Sequence, residues 1–493
     1  MKALGKIYLI LFLLTSRAGI CSSGDDSIQL SKEMFLPNAE EIVGIVGHDS
    51  SGTYLLKKDY SFFLEKYDAN LKLITTGRLK YYKGLRSRNF EKVVLFHDSL
   101  YMFISEYRVR KTNLYVQLID KQTLKAVGDE RLIYSTQNVK GNYPGFVINL
   151  SWLRNKLLIT ARTDMLLKKS IIFEYIVFKE GMEKLWYRKD FYTYNHQPPR
   201  NVTYTVDEQG NVFLFSLIYE VNWISRFSEP VKEQYIVVRY MQNGDYRDKF
   251  IFEFKDKYSR DAKLIAGNNG TFICAGLVSD NFQYGISGVF YQTVDPISND
   301  LKPLYIYNFK PDFLKEIDQS QLFKSKEVYG FDFKNLVLRK NGDVVLLCEQ
   351  TFDQDYDNVN QILAVGFNSF GDMIWQTVIY KKQSGGNNTS FCMIAPPYIN
   401  NIKVIYNEST SNPMSNETLD RKSFFYLDNS YLCSKEIDNR GFTVSDSLKT
   451  LKNKEPIFEP RYTYDNQNGE LFAIAIRYRM FQLIHLRLFP AEN

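Results

Sequence analysis

The sequence predicts an all-β chain folded as a single β-propeller of eight four-stranded blades, with seven blades as the alternative count. Three observations predict it. One strand-turn-strand unit recurs along the chain, the composition favours β-structure, and the two chain ends are incomplete in complementary ways.

The recurring unit is easiest to see where its second strand begins. These starts are SSGTYLL from Ser50, HDSLYMFI from His97, RNKLLIT from Arg154 and EQGNVFLF from Glu208. NNGTFICAG from Asn268, KNGDVVLLC from Lys340, INNIKVIY from Ile399 and QNGELFAIAI from Gln467 complete the set. Their spacings run from just under 50 to just over 70 residues, which makes eight copies. Asn-Gly and related pairs tolerate the positive φ that tight hairpins require. The same chemistry marks the third-to-fourth strand turn in RYMQNGDYRDKFIFEF and GFNSFGDMIWQTVIY. One four-stranded sheet cannot bury both its faces alone, whereas a ring of them can. The seventh copy, residues 388–451, is irregular, and this keeps the seven-bladed count open.

Aromatic residues make up 15% of the chain, with 35 Tyr and 36 Phe. That composition suits strands and excludes a disordered chain. At the C-terminal end the last copy supplies only three strands, Arg461–Tyr464, Leu471–Arg477 and Phe481–Leu488. At the other end Ser27–Leu36 reads as an extra strand before the first full copy, which starts near Glu41. The N-terminal strand is therefore expected to complete the last blade and hide two sheet edges.

Ahead of that strand, Lys2 and Lys6 precede an apolar run from Ile7 to Leu14 and a stretch of mostly small residues. This order predicts a secretory signal peptide over residues 1–22, with the propeller over 27–493. Cleavage would follow Ala18 or Cys21, and Ile20 disfavours a lipid anchor on Cys21. The expected location is secreted, periplasmic or cell-surface. No later apolar run approaches the ~20 residues of a membrane span. Cys274, Cys348, Cys392 and Cys433 match no zinc spacing, and the first two lie in apolar strands as buried thiols would. Sequons occur at Asn149, Asn201, Asn269, Asn387, Asn388, Asn407 and Asn416.

The repeats, and particularly the Gly-x-x-x-Trp strand GDMIWQ, resemble the degenerate propeller repeats of many exported bacterial proteins. The resemblance spans nearly the whole chain after the leader and implies a propeller and export. It carries no catalytic residue onto this sequence, and WD, kelch and pyrroloquinoline-quinone signatures are absent.

Candidate chemistry is sparse. His48-Asp49-Ser50 and His97-Asp98-Ser99 occupy matched points of copies one and two. Adjacent side chains cannot relay a proton in line, so these are read as turns. Asp353, Asp355 and Asp357 alternate as calcium ligands do, but Asn358 and Ala364 stand where an EF-hand needs Gly and Glu. A solvated loop is the reading set against calcium, and no other cofactor is expected. The loop from Val221 to Gln234 carries Trp223, Arg226 and Phe227, a composition found where partners bind.

The main electrostatic feature is local. Residues 54–131 hold 16 Lys/Arg against 9 Asp/Glu, a net of +7 by subtraction, above the +6 of the whole chain. Lys80, Lys83, Arg86 and Arg88 fall in the link between copies one and two. Arg108, Arg110 and Lys111 fall between the second and third strands of copy two, and Arg162, Lys168 and Lys169 near the same place in copy three. In a propeller these segments emerge on one face, so a basic sector is expected there. Its anions would be an acidic polysaccharide, lipopolysaccharide phosphate or an acidic protein, and nucleic acid is disfavoured by compartment. Two functions follow as expectations. One is a non-catalytic binding or scaffold propeller outside the cytoplasm. The other is a carbohydrate lyase or hydrolase with its site at the central opening.

Overall fold

A computed structural model describes residues 26–491, apart from 38, 83–87, 139–142, 195–197, 221–231, 242, 268–269, 282–284, 318–326, 352–357, 385–388, 413–423, 426–428 and 452–454. The chain forms eight antiparallel four-stranded blades in sequence order. Their first strands are Glu41–Asp49, Arg88–Phe96, Gly145–Leu150, Arg200–Val206, Tyr258–Ala266, Phe331–Leu338, Cys392–Ile394 and Ile457–Asp465. The eight-bladed count stands and the irregular seventh copy is a blade. Its second and third strands, Ile402–Ser409 and Ser430–Ile437, are joined by a long link that adds Phe424–Phe425 beside Gln383–Ser384 of blade 6.

The packing explains why the second strands read as unbroken apolar runs. Alternate side chains of a strand point to opposite faces, and here both faces are covered by neighbouring blades. Phe213, Phe215 and Leu217 pack toward blade 5, whereas Val212 and Leu214 pack toward blade 3. Eight hydrophobic clusters result among the described residues, one at each junction between neighbours, including the junction of blade 8 with blade 1. Cys274, Cys348, Cys392 and Cys433 are buried within these clusters and form no disulfide with one another.

Polar ties between blades supplement this packing. Trp186 Nε1 donates to the Gly210 carbonyl (3.0 Å), Arg188 to Gly244 (2.6 Å) and Arg239 to Gly270 (2.6 Å), each in a turn of the following blade. Trp375, the Trp of the Gly-x-x-x-Trp strand, does the same to Asn439 at 3.1 Å. Its ring lies over Gly366 and Gly441, where any Cβ would collide with it. Gly441 also has φ +80°, the left-handed region. Gly441→Ala is expected to lower stability by about 2–4 kcal/mol through backbone strain and overpacking. Urea denaturation checks this, and an unchanged midpoint refutes the packing account.

Ring closure follows the expected route. Ser27–Leu30 pairs antiparallel with Ile484–Arg487, and Met34–Phe35 pairs with Met480 and Phe481. Asp26, next to the strand, receives two hydrogen bonds from the buried Lys403 Nζ of blade 7, at 2.7 and 2.8 Å.

Candidate binding face

A propeller has two unlike faces. One carries the tight turns between first and second and between third and fourth strands. The other, the loop face, carries the second-to-third-strand connections and the links between blades. The axial channel is lined by the first strands, which touch their neighbours from blade 1 to blade 6 and again from blade 7 through 8 to 1. A first strand has no strand beyond it, so side chains of the preceding blade satisfy some of its carbonyls. Lys92 donates to Ile148 (2.8 Å), Asn149 to Tyr204 (2.8 Å) and Asn407 to Phe458 (2.8 Å). Asn149 and Asn407 are thus committed sequons, and Asn407 is wholly buried.

On the tight-turn face the channel is bridged. Arg154, in the first turn of blade 3, donates to the Tyr464 hydroxyl and the Asp465 carbonyl of blade 8. Its guanidinium lies 4.2 Å from the Tyr464 ring centre, and Gln467 donates to the Trp152 carbonyl. Blades 3 and 8 stand three places apart in the ring, so these contacts span the opening. Glu208 of blade 4 holds the same turn through Leu153 N (2.6 Å) and Ser151 Oγ (2.8 Å).

His48 and His485 also lie toward this face, each stacked against Phe472 with ring centres 4.0 and 4.4 Å away. Burial lowers the His48 pKa, and His485 approaches Glu470 at 3.2 Å. His97 sits exposed in a turn and does not meet His48. His196 lies outside the described residues.

Toward the loop face, the first strands carry opposite charges two residues apart. Asp261 and Lys263 stand in blade 5, Asp332 and Lys334 in blade 6, and Glu459 and Arg461 in blade 8. Lys334 bridges Asp332 and the buried Glu349, each at 3.5 Å. Glu459 is the outlier. Burial pushes its carboxyl up to about 7, although the Arg461 Nε 3.1 Å away opposes the shift. Among the described residues no group of three metal-ligating side chains occurs.

The residues expected to form the basic sector fare unequally. Lys83, Arg86, Trp223, Arg226 and the run Asp353, Asp355, Asp357 lie outside the described residues. Arg88 is corrected. Rather than sitting in a surface link it opens the first strand of blade 2, with its side chain 2% exposed. It donates two hydrogen bonds to Glu130, at 2.6 and 2.7 Å, so it is unavailable to a ligand. Arg108 is half exposed and paired with Glu106 at 3.0 Å, and Arg162 is paired with Asp164 at 2.9 Å. Arg110, Lys111 and Lys168 are exposed at second-to-third-strand connections and make no ion pair among the described residues.

The structure adds residues that sequence reasoning missed. Tyr478 of blade 8 (75% exposed) and Tyr60 of blade 1 (90%) crown their second-to-third-strand turns. Arg479 stands exposed beside Tyr478. Tyr82 and Tyr143 project from the links between blades 1 and 2 and between 2 and 3. Tyr82 lies tilted against the buried Tyr81 (centres 4.1 Å apart, planes 35° apart), and Tyr143 meets Tyr107 edge-on at 5.5 Å. Exposed aromatic rings and cations are therefore interspersed over four consecutive blades of the loop face. By contrast, the gap between blades 3 and 4, lined by Phe173, Tyr192, Tyr240 and Arg247, is only large enough for about one water molecule.

No family model matches the chain. No curated protein matches it either. Solved structures similar to it include the WD40 domain of SCAP from fission yeast, at 9% identity and TM-score 0.44 over 94% of this chain and 98% of that one. The polysaccharide lyase Uly1 matches at 8% identity and TM-score 0.39, over 93% and 100% of the two chains. A PL25 ulvan lyase matches at 9% identity and TM-score 0.37, over 80% and 90%. These likenesses concern the fold alone.

Proposed function

We propose that this protein is a non-catalytic binding propeller acting outside the cytoplasm, which presents the loop face of blades 8, 1, 2 and 3 to an anionic partner. One observation carries this reading: exposed tyrosines are interspersed along that arc with cations that make no ion pair among the described residues. Tyr and Arg are the residues that most often anchor partners, and clustered cations attract polyanions over a Debye length. The export half of the reading is supported by the basic and apolar leader of residues 1–22. Processing after Ala18 or Cys21 would leave the closing strand at Ser27 intact.

The test removes Arg110, Lys111, Lys168 and Arg479 together, each to Ala. Elution from a sulfonated resin should then occur at markedly lower salt than for a control variant. The control removes four exposed lysines near the tight-turn face, Lys72, Lys125, Lys184 and Lys340. Equal shifts in the two variants would mean the loop face holds no site.

A second reading, a carbohydrate lyase or hydrolase working at the axial opening, is favoured by Glu459 alone. A carboxyl held near neutrality beside a cation suits proton transfer. In that case Glu459→Gln abolishes turnover of acidic polysaccharide with the fold intact. Wild-type protein that leaves such chains uncut defeats this reading.

A further inference from the structure

We propose that the anionic partner is an acidic polysaccharide, laid along the arc from blade 8 to blade 3 with sugar rings against Tyr478, Tyr60, Tyr82 and Tyr143. This rests on the binding reading above and names its ligand.

The spacing of the aromatics favours a polysaccharide. Each of the four projects singly from its own turn or link, and charged residues stand between them: Arg479 beside Tyr478, and Arg110 and Lys111 between Tyr82 and Tyr143 along the chain. A protein partner usually needs a continuous apolar centre from which water is excluded. Isolated rings separated by charge offer none. A polysaccharide is a repeating chain whose apolar C–H faces and anionic groups recur along its length, and it matches a surface on which rings and cations recur blade by blade.

The chemistry of the rings fits sugars as well. All four are tyrosines, which present an apolar face and a hydroxyl at the rim. Sugars are amphipathic in the same manner, with C–H groups on the ring face and hydroxyls at its edge. Tyr82 and Tyr143 each also contact a second ring, Tyr81 (tilted, 4.1 Å) and Tyr107 (edge-on, 5.5 Å). A ring braced in this way loses little freedom when a sugar stacks on it. The Tyr81 hydroxyl donates to the Tyr82 hydroxyl at 2.7 Å, which steadies that platform further.

Charge makes the polysaccharide an acidic one. Arg110, Lys111, Lys168 and Arg479 enter no ion pair among the described residues, so carboxylates or sulfates meet them without displacing a protein partner. Binding should be salt-dependent through this set and insensitive to Arg88, whose charge is spent on Glu130.

The experiment measures binding of the full-length protein to polygalacturonate, dextran sulfate, neutral dextran, polyglutamate and oligo(dT), at low and moderate salt. The expected result is binding to one or both acidic polysaccharides and not to neutral dextran. The pair Tyr60→Ala with Tyr82→Ala should weaken it about tenfold. Removing the four cations should weaken it by at least as much and flatten its salt dependence. Thermal unfolding of each variant should stay unchanged, because all these side chains are exposed. Preference for polyglutamate or oligo(dT), or a tyrosine pair without effect, overturns the polysaccharide while leaving an anion-binding face. Failure to bind any of the polyanions overturns the face itself.

Discussion

A chain beginning after Phe35 is expected not to fold to a monomeric ring. The six residue pairs that Ser27–Leu30 and Met34–Phe35 make with Met480–Arg487 are lost with it. So is the cover that Ile28, Leu30 and Met34 give to the clusters on either side of blade 8. At about 1 kcal/mol net per ladder hydrogen bond and 1–2 kcal/mol per partly buried apolar side chain, the loss is about 9–12 kcal/mol. That is comparable with the whole stability of a typical domain. The outer strand of blade 8 would also expose an unpaired edge, which templates aggregation. Lys403 would be left buried with its Asp26 partner gone and, among the described residues, only the Glu436 carboxylate, 3.6 Å away, to pair with it. Sedimentation and thermal unfolding of the truncated chain check this, and adding a peptide of residues 24–37 should restore the monomer. A truncated protein that melts as the intact one does would show that closure contributes little.

The second large effect concerns Glu459. Its carboxyl titrates near 7 in the folded chain instead of near 4.5, with burial as the cause. The folded state therefore holds this proton more tightly than the unfolded state. The stability associated with it is fully present below pH 4.5 and is lost as pH rises through 7. A shift of that size corresponds to about 3 kcal/mol between the two limits. Glu459→Gln, which keeps the shape and cannot ionise, should remove this component and leave the variant more stable than the native chain above pH 7. Urea titrations of both proteins at pH 5 and pH 8 measure it. Parallel pH dependence in the two would place the carboxyl in a wetter site than the structure gives it.

Much of the fold is written locally. Every second strand, from Gly52–Lys58 to Glu470–Arg477, falls where the hairpin turns and apolar runs place it, because burial on both faces leaves a run that needs no partner to be recognised. Closure was legible for the same reason, as a count of strands at each end. The face was only half legible. Net charge marked the region of Arg108, Arg110 and Lys111, but charge says nothing of direction. Arg88 carries the same residue type as Arg110, and only its place at the start of an inner strand turns it inward to Glu130. The exposed tyrosines were missed because 35 Tyr are scattered through the chain and most serve strands. The available signal was position: Asp59-Tyr60-Ser61 and Arg477-Tyr478-Arg479 each set one aromatic at the tip of a turn. Arg154 and Tyr464 lie 310 residues apart, and no local pattern predicts their meeting across the channel.

The seam between the two ends has a consequence in time. Ser27 pairs with Arg487, and 487 − 27 = 460 residues separate them. At the usual pace of synthesis, about 5–20 residues per second, the earliest strand waits roughly 20 to 90 seconds for its mate. Until then seven blades stand in an open row with a raw margin at each end. A ring closed by these two strands gains its full stability only after Arg487 is made, and throughout that interval it depends on whatever shields nascent chains from one another.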